Sequence, residues 1–266
     1  MSENNAEIFT LYLRTLHGRN QVLNIVANLP KLLTISAPLN NTRKHLNIFK
    51  SQITYCISIE NLLDVISLFS WIRSSGWGSK EPDHFIRCCN VIINAMMVFN
   101  QAISHIIWAD KHNILTINVD KWNPVAACFA IGTSNIDFLR SFRRIKVIRE
   151  IHKLKQDENN NYKLLISRRK RHYTFCERKI DQQAEKKKVN YLIVNEAMTC
   201  MRVTLQTICF INYLPNGILW GGRLMKWQLG ALGIISSLIH SYQFYKFNSI
   251  VNYDDYTSHT RKLNTK

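Results

Sequence analysis

The run Trp227-Gln-Leu-Gly-Ala-Leu-Gly-Ile-Ile-Ser-Ser-Leu-Ile-His-Ser-Tyr-Gln-Phe-Tyr245 contains 19 residues and no charged side chain, and its reading decides the fold. At a helical rise of about 1.5 Å per residue it spans about 28 Å, close to the roughly 30 Å hydrocarbon core of a bilayer. Lys226 and Trp227 at one end, and Tyr242 and Tyr245 at the other, resemble interfacial anchors. Gly233, Ser237 and Ser241 fall four apart, a small-residue face of the kind that lets helices pack closely in lipid. Gln228, His240 and Gln243 keep a buried soluble helix as the alternative, and the uninterrupted length favours a span over 227–245. Upstream, 203–222 is also free of charge; Pro215 and Gly217 make it a kinked second arm, a re-entrant segment or an interfacial helix.

Working toward the N-terminus, Trp122 starts another apolar stretch, which reaches Phe142 and is broken by Asn135 and Asp137. A carboxylate at a helix centre costs about 2.5–3.5 kcal/mol on insertion, so 122–142 reads either as a transmembrane helix or as a buried one. Residues 113–120 alternate weakly, which predicts a short extended connection. Two amphipathic stripes precede it. Leu46, Phe49, Ile53, Cys56, Ile59, Leu63, Ile66 and Phe69 recur at helical spacing behind Arg43, Lys44 and Lys50. After the turn Ser74-Ser75-Gly76-Trp77-Gly78-Ser79, Pro82 and Asp83 open a helix striped by Phe85, Cys88, Ile92, Phe99 and Ile106. These helices either pack as a bundle or lie in a bilayer surface, with apolar faces among acyl chains and cations near headgroups. A further helical face runs from Ile8 to Leu33, interrupted near Gly18 and Pro30. The expected class is therefore all-α: an amphipathic helical bundle with one or two transmembrane helices in its C-terminal half.

The charge is placed unevenly. The 266 residues carry 35 Lys+Arg against 18 Asp+Glu, a net +17, and 46% are hydrophobic, which excludes a disordered chain. Residues 140–188 hold 17 basic and 6 acidic side chains, so most of the excess lies in one segment between apolar regions. Such a segment suits a loop beside a membrane. Its runs Arg168-Arg169-Lys170-Arg171 and Lys186-Lys187-Lys188 carry the alternative of a basic nuclear or nucleic-acid-binding protein. Seven cysteines without a Cys-x-x-Cys pair, behind an acidic N-terminus without a secretory signal, suit a reducing compartment. Phosphate-binding loops, zinc-binding His motifs and nucleophile elbows are all missing, and the nine histidines are scattered. We therefore expect no enzyme, cofactor or metal site, and a membrane role. A membrane channel with polar Asp137 and His240 lining it is a further alternative.

Three groups of residues together resemble the peroxisomal membrane protein 11 family, in its gamma (C) type. The first is Leu16-His17-Gly18-Arg19-Asn20-Gln21-Val22-Leu23, with Asn20 where the family has Asp. The second is Phe85-Ile86-Arg87-Cys88, followed by His105-Ile-Ile-Trp108-Ala109-Asp110 and Val119-Asp120-Lys121-Trp122. The third and most specific is Leu214-Pro215-Asn216-Gly217-Ile218-Leu219-Trp220-Gly221-Gly222-Arg223, with Ser236-Ser237 and Tyr242-Gln243 beyond it. Order and spacing hold over about 16–243, and the match is poorest over 150–190.

The resemblance implies an integral peroxisomal membrane protein that promotes peroxisome elongation, proliferation and fission by inserting amphipathic helices and recruiting division factors. The implied partners are peroxisomal membrane lipids, further copies or relatives of the chain, the fission machinery and a membrane-protein import receptor; nucleic acid is not among them. On this reading 1–121 is the amphipathic remodelling region, 143–188 a basic loop, and 189–266 a C-terminal membrane region ending in a polar tail. The wedge residues are those of the two stripes, and Gly233, Ser237 and Ser241 serve helix packing or self-association. Arg140, Arg143, Arg144, Lys146 and Arg149, beside an apolar stretch, suit an internal targeting signal.

Overall fold

A computed structural model describes residues 9–36, 40–78, 81–116, 119–166 and 174–247. The expected polar tail beyond 247 lies outside the described residues. After a short helical segment over 9–14 come six long helices: α1 Leu16–Ser36, α2 Asn40–Ser75, α3 His84–Lys111, α4 Val119–Ile166, α5 Thr174–Ile211 and α6 Lys226–Phe247. No strand occurs among the described residues, and 112–116 form a turn where a short extended connection was expected.

Local chemistry explains where the helices stop. Gly76, Trp77 and Gly78 have φ of 59°, 56° and 91°, three successive left-handed residues that end α2 and reverse the chain. A Cβ on Gly78 would come within 2.7 Å of the Asn90 Cβ, so the turn also packs tightly against α3. Asp83 caps α3 by accepting hydrogen bonds from the Phe85 and Ile86 amides at 2.9 and 3.0 Å. Pro30 lies inside α1 without ending it. A proline in a helix interior costs about 3 kcal/mol, and the close docking of α1 on α6 described below opposes that cost. The basic stretch expected as a loop is helical on both sides, because α4 continues to Ile166 and α5 begins at Thr174. Between Gly132 and Pro215 the sequence has neither Gly nor Pro, and its Lys, Arg, Glu and Leu are good helix formers.

Neighbouring helices pair antiparallel in the spatial order α2, α1, α6, α5, α4, α3. Asn90 meeting Arg140 and Phe99 meeting Phe129 fix α3 on α4. Lys155 with Glu185 ties α4 to α5, and Gln243 with Asn195 and Thr199 ties α5 to α6. The row closes weakly between α2 and α3, through the Gln101 amide on the Asn61 carbonyl and the Tyr55–His112 ring contact. Two small apolar clusters lie inside: Ile86, Ile148, Val189 and Leu192, and then Ala127, Ile211 and Leu214. Among the described residues, exposed large apolar side chains far outnumber buried ones. In water that surface would be unfavourable at about 25 cal/mol per Å², whereas in lipid it meets its own kind.

Candidate membrane interface

The outward apolar surface is organised by helix. On α2, Ile48, Tyr55, Ile59, Leu63, Ile66 and Phe69 stand exposed along one face, with Leu63 at 66% and Ile66 at 75%. The opposite side rests on α1 and mixes polar with apolar: Arg19 Nε meets Glu60 at 3.2 Å and Asn20 donates to Asn61 at 3.1 Å, beside half-buried Ile53 and Ile57. On α3, Phe85, Val91, Ile92 and Phe99 form the outer stripe, while Ile86, Cys89 and Ile93 turn inward.

The residues read from the sequence as membrane-binding sort accordingly. Phe49, Ile59, Leu63, Ile66, Phe69, Phe85, Ile92 and Phe99 face outward, as do Arg43 and Lys44. Leu46, Ile53 and Ile106 are half-buried, and Lys50 turns toward a cavity beside α1. Sequence reasoning missed Tyr55, Trp71 and Val91, which are exposed on the same two helices. In the α5–α6 connection, within the 203–222 run read as a second arm, a re-entrant segment or an interfacial helix and just beyond it, Tyr213, Ile218, Leu219, Trp220 and Met225 project outward. Helical periodicity does not reach that connection.

Among the described residues, two helices are long and apolar enough to cross a membrane: Asn41–Ser74 and His84–Lys111. Both are mostly unburied within the protein, as lipid-facing helices would be. They lie in the middle of the chain, whereas the sequence placed its candidate spans at 227–245 and 122–142. In α6 the three polar side chains Gln228, His240 and Gln243 lower the mean hydropathy, and Gly230, Ser236 and Ser237 are buried against the bundle. In α4, Asp137 and Asn135 act the same way.

An ionic layer bounds this surface. Arg143 binds the capping Asp83 through Nε and Nη2 at 3.1 and 2.9 Å. Arg144 reaches Glu81 at 3.1 Å and Glu196 at 3.6 Å, and Arg140 pairs with Asp137 and with Asn90. Arg202 approaches Asp137 at 3.9 Å. Burial pushes the Glu196 carboxyl above its usual range, against the opposing pull of the Arg144 charge. For Asp83, burial pushes upward too, but the Ile86 amide, Arg143 and the Phe85 amide outweigh it and leave the carboxyl below its usual value. Of the residues read as a targeting signal, Arg140, Arg143 and Arg144 are thus held in ion pairs within the fold. Lys146 and Arg149 are exposed, with the Lys146 ammonium 4.9 Å from the centre of the Phe142 ring. Toward the far end, α3 runs without charge from Cys88 to Ala109, about 33 Å of helix. Asp110 and Lys111 end that uncharged run of α3, whose length matches a bilayer core, while the charges level with it on other helices, Arg19 with Glu60 and Arg140 with Asp137, are paired.

The small-residue face of α6 packs on α1 of the same chain. A Cβ on Gly233 would come within 2.6 Å of the Asn28 amide nitrogen, and one on Gly230 within 2.9 Å of the Lys31 Cβ. Ser237 is buried, and Ser241 Oγ lies 2.9 Å from the Tyr12 hydroxyl. Gly233→Leu is expected to force α1 off α6 and to cost about 1–3 kcal/mol by overpacking. Limited proteolysis should then cut within 16–40 at least several-fold faster than in the parent, and an unchanged cleavage pattern would show that α1 docks elsewhere.

Among the described residues no group of His, Cys, Asp and Glu could hold a metal ion. The family model of peroxisomal biogenesis factor 11 matches residues 7–245. Peroxisomal membrane protein 11C of Homo sapiens is 23% identical over 196 residues, 74% of each chain. The Mus musculus protein of the same name is 23% identical over 200 residues, 75% of this chain and 76% of its own. No solved structure matches. The family's members are biogenesis factors, and its relatives are proteins of the peroxisomal membrane, where the exposed apolar helices of this chain find their solvent. The chain belongs to the peroxisomal biogenesis factor 11 family.

Proposed function

We propose that this peroxisomal membrane protein elongates the organelle and promotes its proliferation and fission by seating the apolar faces of α2 and α3 in the bilayer and recruiting division factors. The observation that carries this reading is the two-sidedness of α2. Its polar edge rests on α1 through Glu60 and Asn61, while Ile59, Leu63, Ile66 and Phe69 point away from the protein.

Each such side chain gains about 1.5–3 kcal/mol on leaving water. Arg43 and Lys44 at the start of α2 add about 1 kcal/mol each beside anionic headgroups. Insertion that expands one leaflet more than the other bends the membrane, and many copies sum to elongation. Further copies of the chain, the fission machinery and an import receptor are the partners this role needs. Exposed Lys146 and Arg149 are the members of the basic group most accessible to a receptor.

Expression of a fluorescently tagged full chain beside a peroxisomal matrix marker tests the reading. Elongated, more numerous peroxisomes and a carbonate-resistant protein are expected. Nuclear or soluble protein, or membrane-bound protein with unchanged organelle shape, would overturn it.

A further inference from the structure

A cavity of about 500 Å³ opens between α1, α2, α5 and α6. Among the described residues, Lys31, Lys50 and Lys226 line it and no carboxylate does. Lys31 Nζ donates to Asn28 Oδ1, and the positive field of three ammonium groups around one space attracts an anion. Burial, and then the charge of Lys50, lower the Lys31 pKa, so the site already strains to keep that proton. Asn28 holds Lys31 in place, its Oδ1 accepting from the ammonium and its Nδ2 donating to the Asn24 carbonyl, and Gln206 adds a further amide to the wall. The rest of the lining is apolar, with Ile57, Phe210 and Leu229. A small inorganic anion would leave that apolar part unfilled, whereas an anion bearing a hydrocarbon chain would use both.

The position of the cavity narrows the ligand further. Lys226 and the neighbouring Trp227 open α6 at the edge of its uncharged run 227–245, a cation and an indole of the kind that meet lipid headgroups. The volume falls within the roughly 300–1,000 Å³ of small-molecule sites. It holds a phosphorylated headgroup, its glycerol and the first methylenes, and two full acyl chains must leave it for the bilayer.

We propose that this cavity binds one anionic glycerophospholipid, with its phosphate among Lys31, Lys50 and Lys226 and the roots of its chains against Ile57, Phe210 and Leu229. The bound lipid bridges four helices. It fastens α2, whose main protein neighbour is α1, to α5 and α6 as well. Such a site goes beyond the wedge reading, and its failure would leave that reading intact.

Native mass spectrometry of the detergent-solubilised full chain tests it with three soluble probes: dihexanoyl phosphatidic acid, dihexanoyl phosphatidylcholine and inorganic phosphate. One phosphatidic acid per chain is expected, bound at least about tenfold more tightly than either other probe. Lys31→Gln with Lys50→Gln and Lys226→Gln should weaken it by about tenfold or more, and exposed Lys226→Gln alone by about threefold with the fold intact. Removing the same charge at Lys186, Lys187 and Lys188 should change binding less than about twofold. Equal binding of phosphatidylcholine, inorganic phosphate binding as tightly as the lipid, or equal losses in the two triple variants would each overturn the assignment.

Discussion

Leu63→Asp combined with Ile66→Asp is expected to release the chain from carbonate-washed membranes and to abolish vesicle tubulation. Both side chains stand on the outer face of α2 at 66% and 75% exposure, so the change leaves little packing to lose within the protein. In the bilayer the loss is large. Each position forfeits about 1.5–3 kcal/mol of apolar transfer and adds about 2.5–3.5 kcal/mol for a carboxylate at depth. Together the two cost on the order of 10 kcal/mol if α2 lies deep, and about half that if it lies at the interface, where carboxylates reach water. Asn47→Asp, an exposed polar position near the start of the same helix, is the control and should behave as the parent does. Purified chain with both substitutions that still floats with anionic vesicles and still tubulates them would remove α2 from the mechanism.

The stripes on α2 and α3 were legible because helical periodicity survives without knowledge of neighbours. Phe49, Ile59, Leu63, Phe85, Ile92 and Phe99 all face outward as their spacing implies. The four-residue spacing of Gly233, Ser237 and Ser241 likewise marked a close-packing face. That its partner is α1, more than 200 residues earlier, was not written in the spacing. Charge density misled where helix propensity was the stronger term: 143–188 read as a loop although it lacks Gly and Pro, and α4 and α5 run far into it. The ionic layer was hidden for a different reason. Arg143 and Arg144 meet Asp83 and Glu81 from 60 and 63 residues away, and no local pattern distinguishes an arginine that pairs from one that stays in solvent. The uncharged run 227–245 also has a side that hydropathy alone does not reveal: Gly230, Ser236 and Ser237 are buried within the bundle, and Gln243 bonds Asn195 and Thr199 of α5.

Arg144→Met carries the largest expected effect on the fold itself. The guanidinium stands between Glu81 and Glu196, whose side chains are each only 9% exposed. Methionine keeps much of the stem's volume and removes the charge, leaving two carboxylates without the cation that balanced them. Breaking a buried pair from one side costs about 3–5 kcal/mol, because the partner remains desolvated. For a chain of this size that corresponds to a fall in melting temperature on the order of 10 °C at pH 7.5. The fall should shrink as the pH drops. Burial already raises the Glu196 carboxyl above its unfolded value, and loss of Arg144 raises it further. A group whose folded pKa is raised stabilises the fold below its unfolded pKa and loses that contribution as pH rises through the folded one. Melting curves at pH 5 and pH 7.5 in the same detergent should therefore differ more for Arg144→Met than for the parent. Adding Glu196→Gln should restore part of the loss at pH 7.5, because one stranded charge is then gone. A small, pH-independent change in melting temperature, unaffected by the second substitution, would mean that the layer joining Glu81, Arg144 and Glu196 is open to water and does not hold α3, α4 and α5 together.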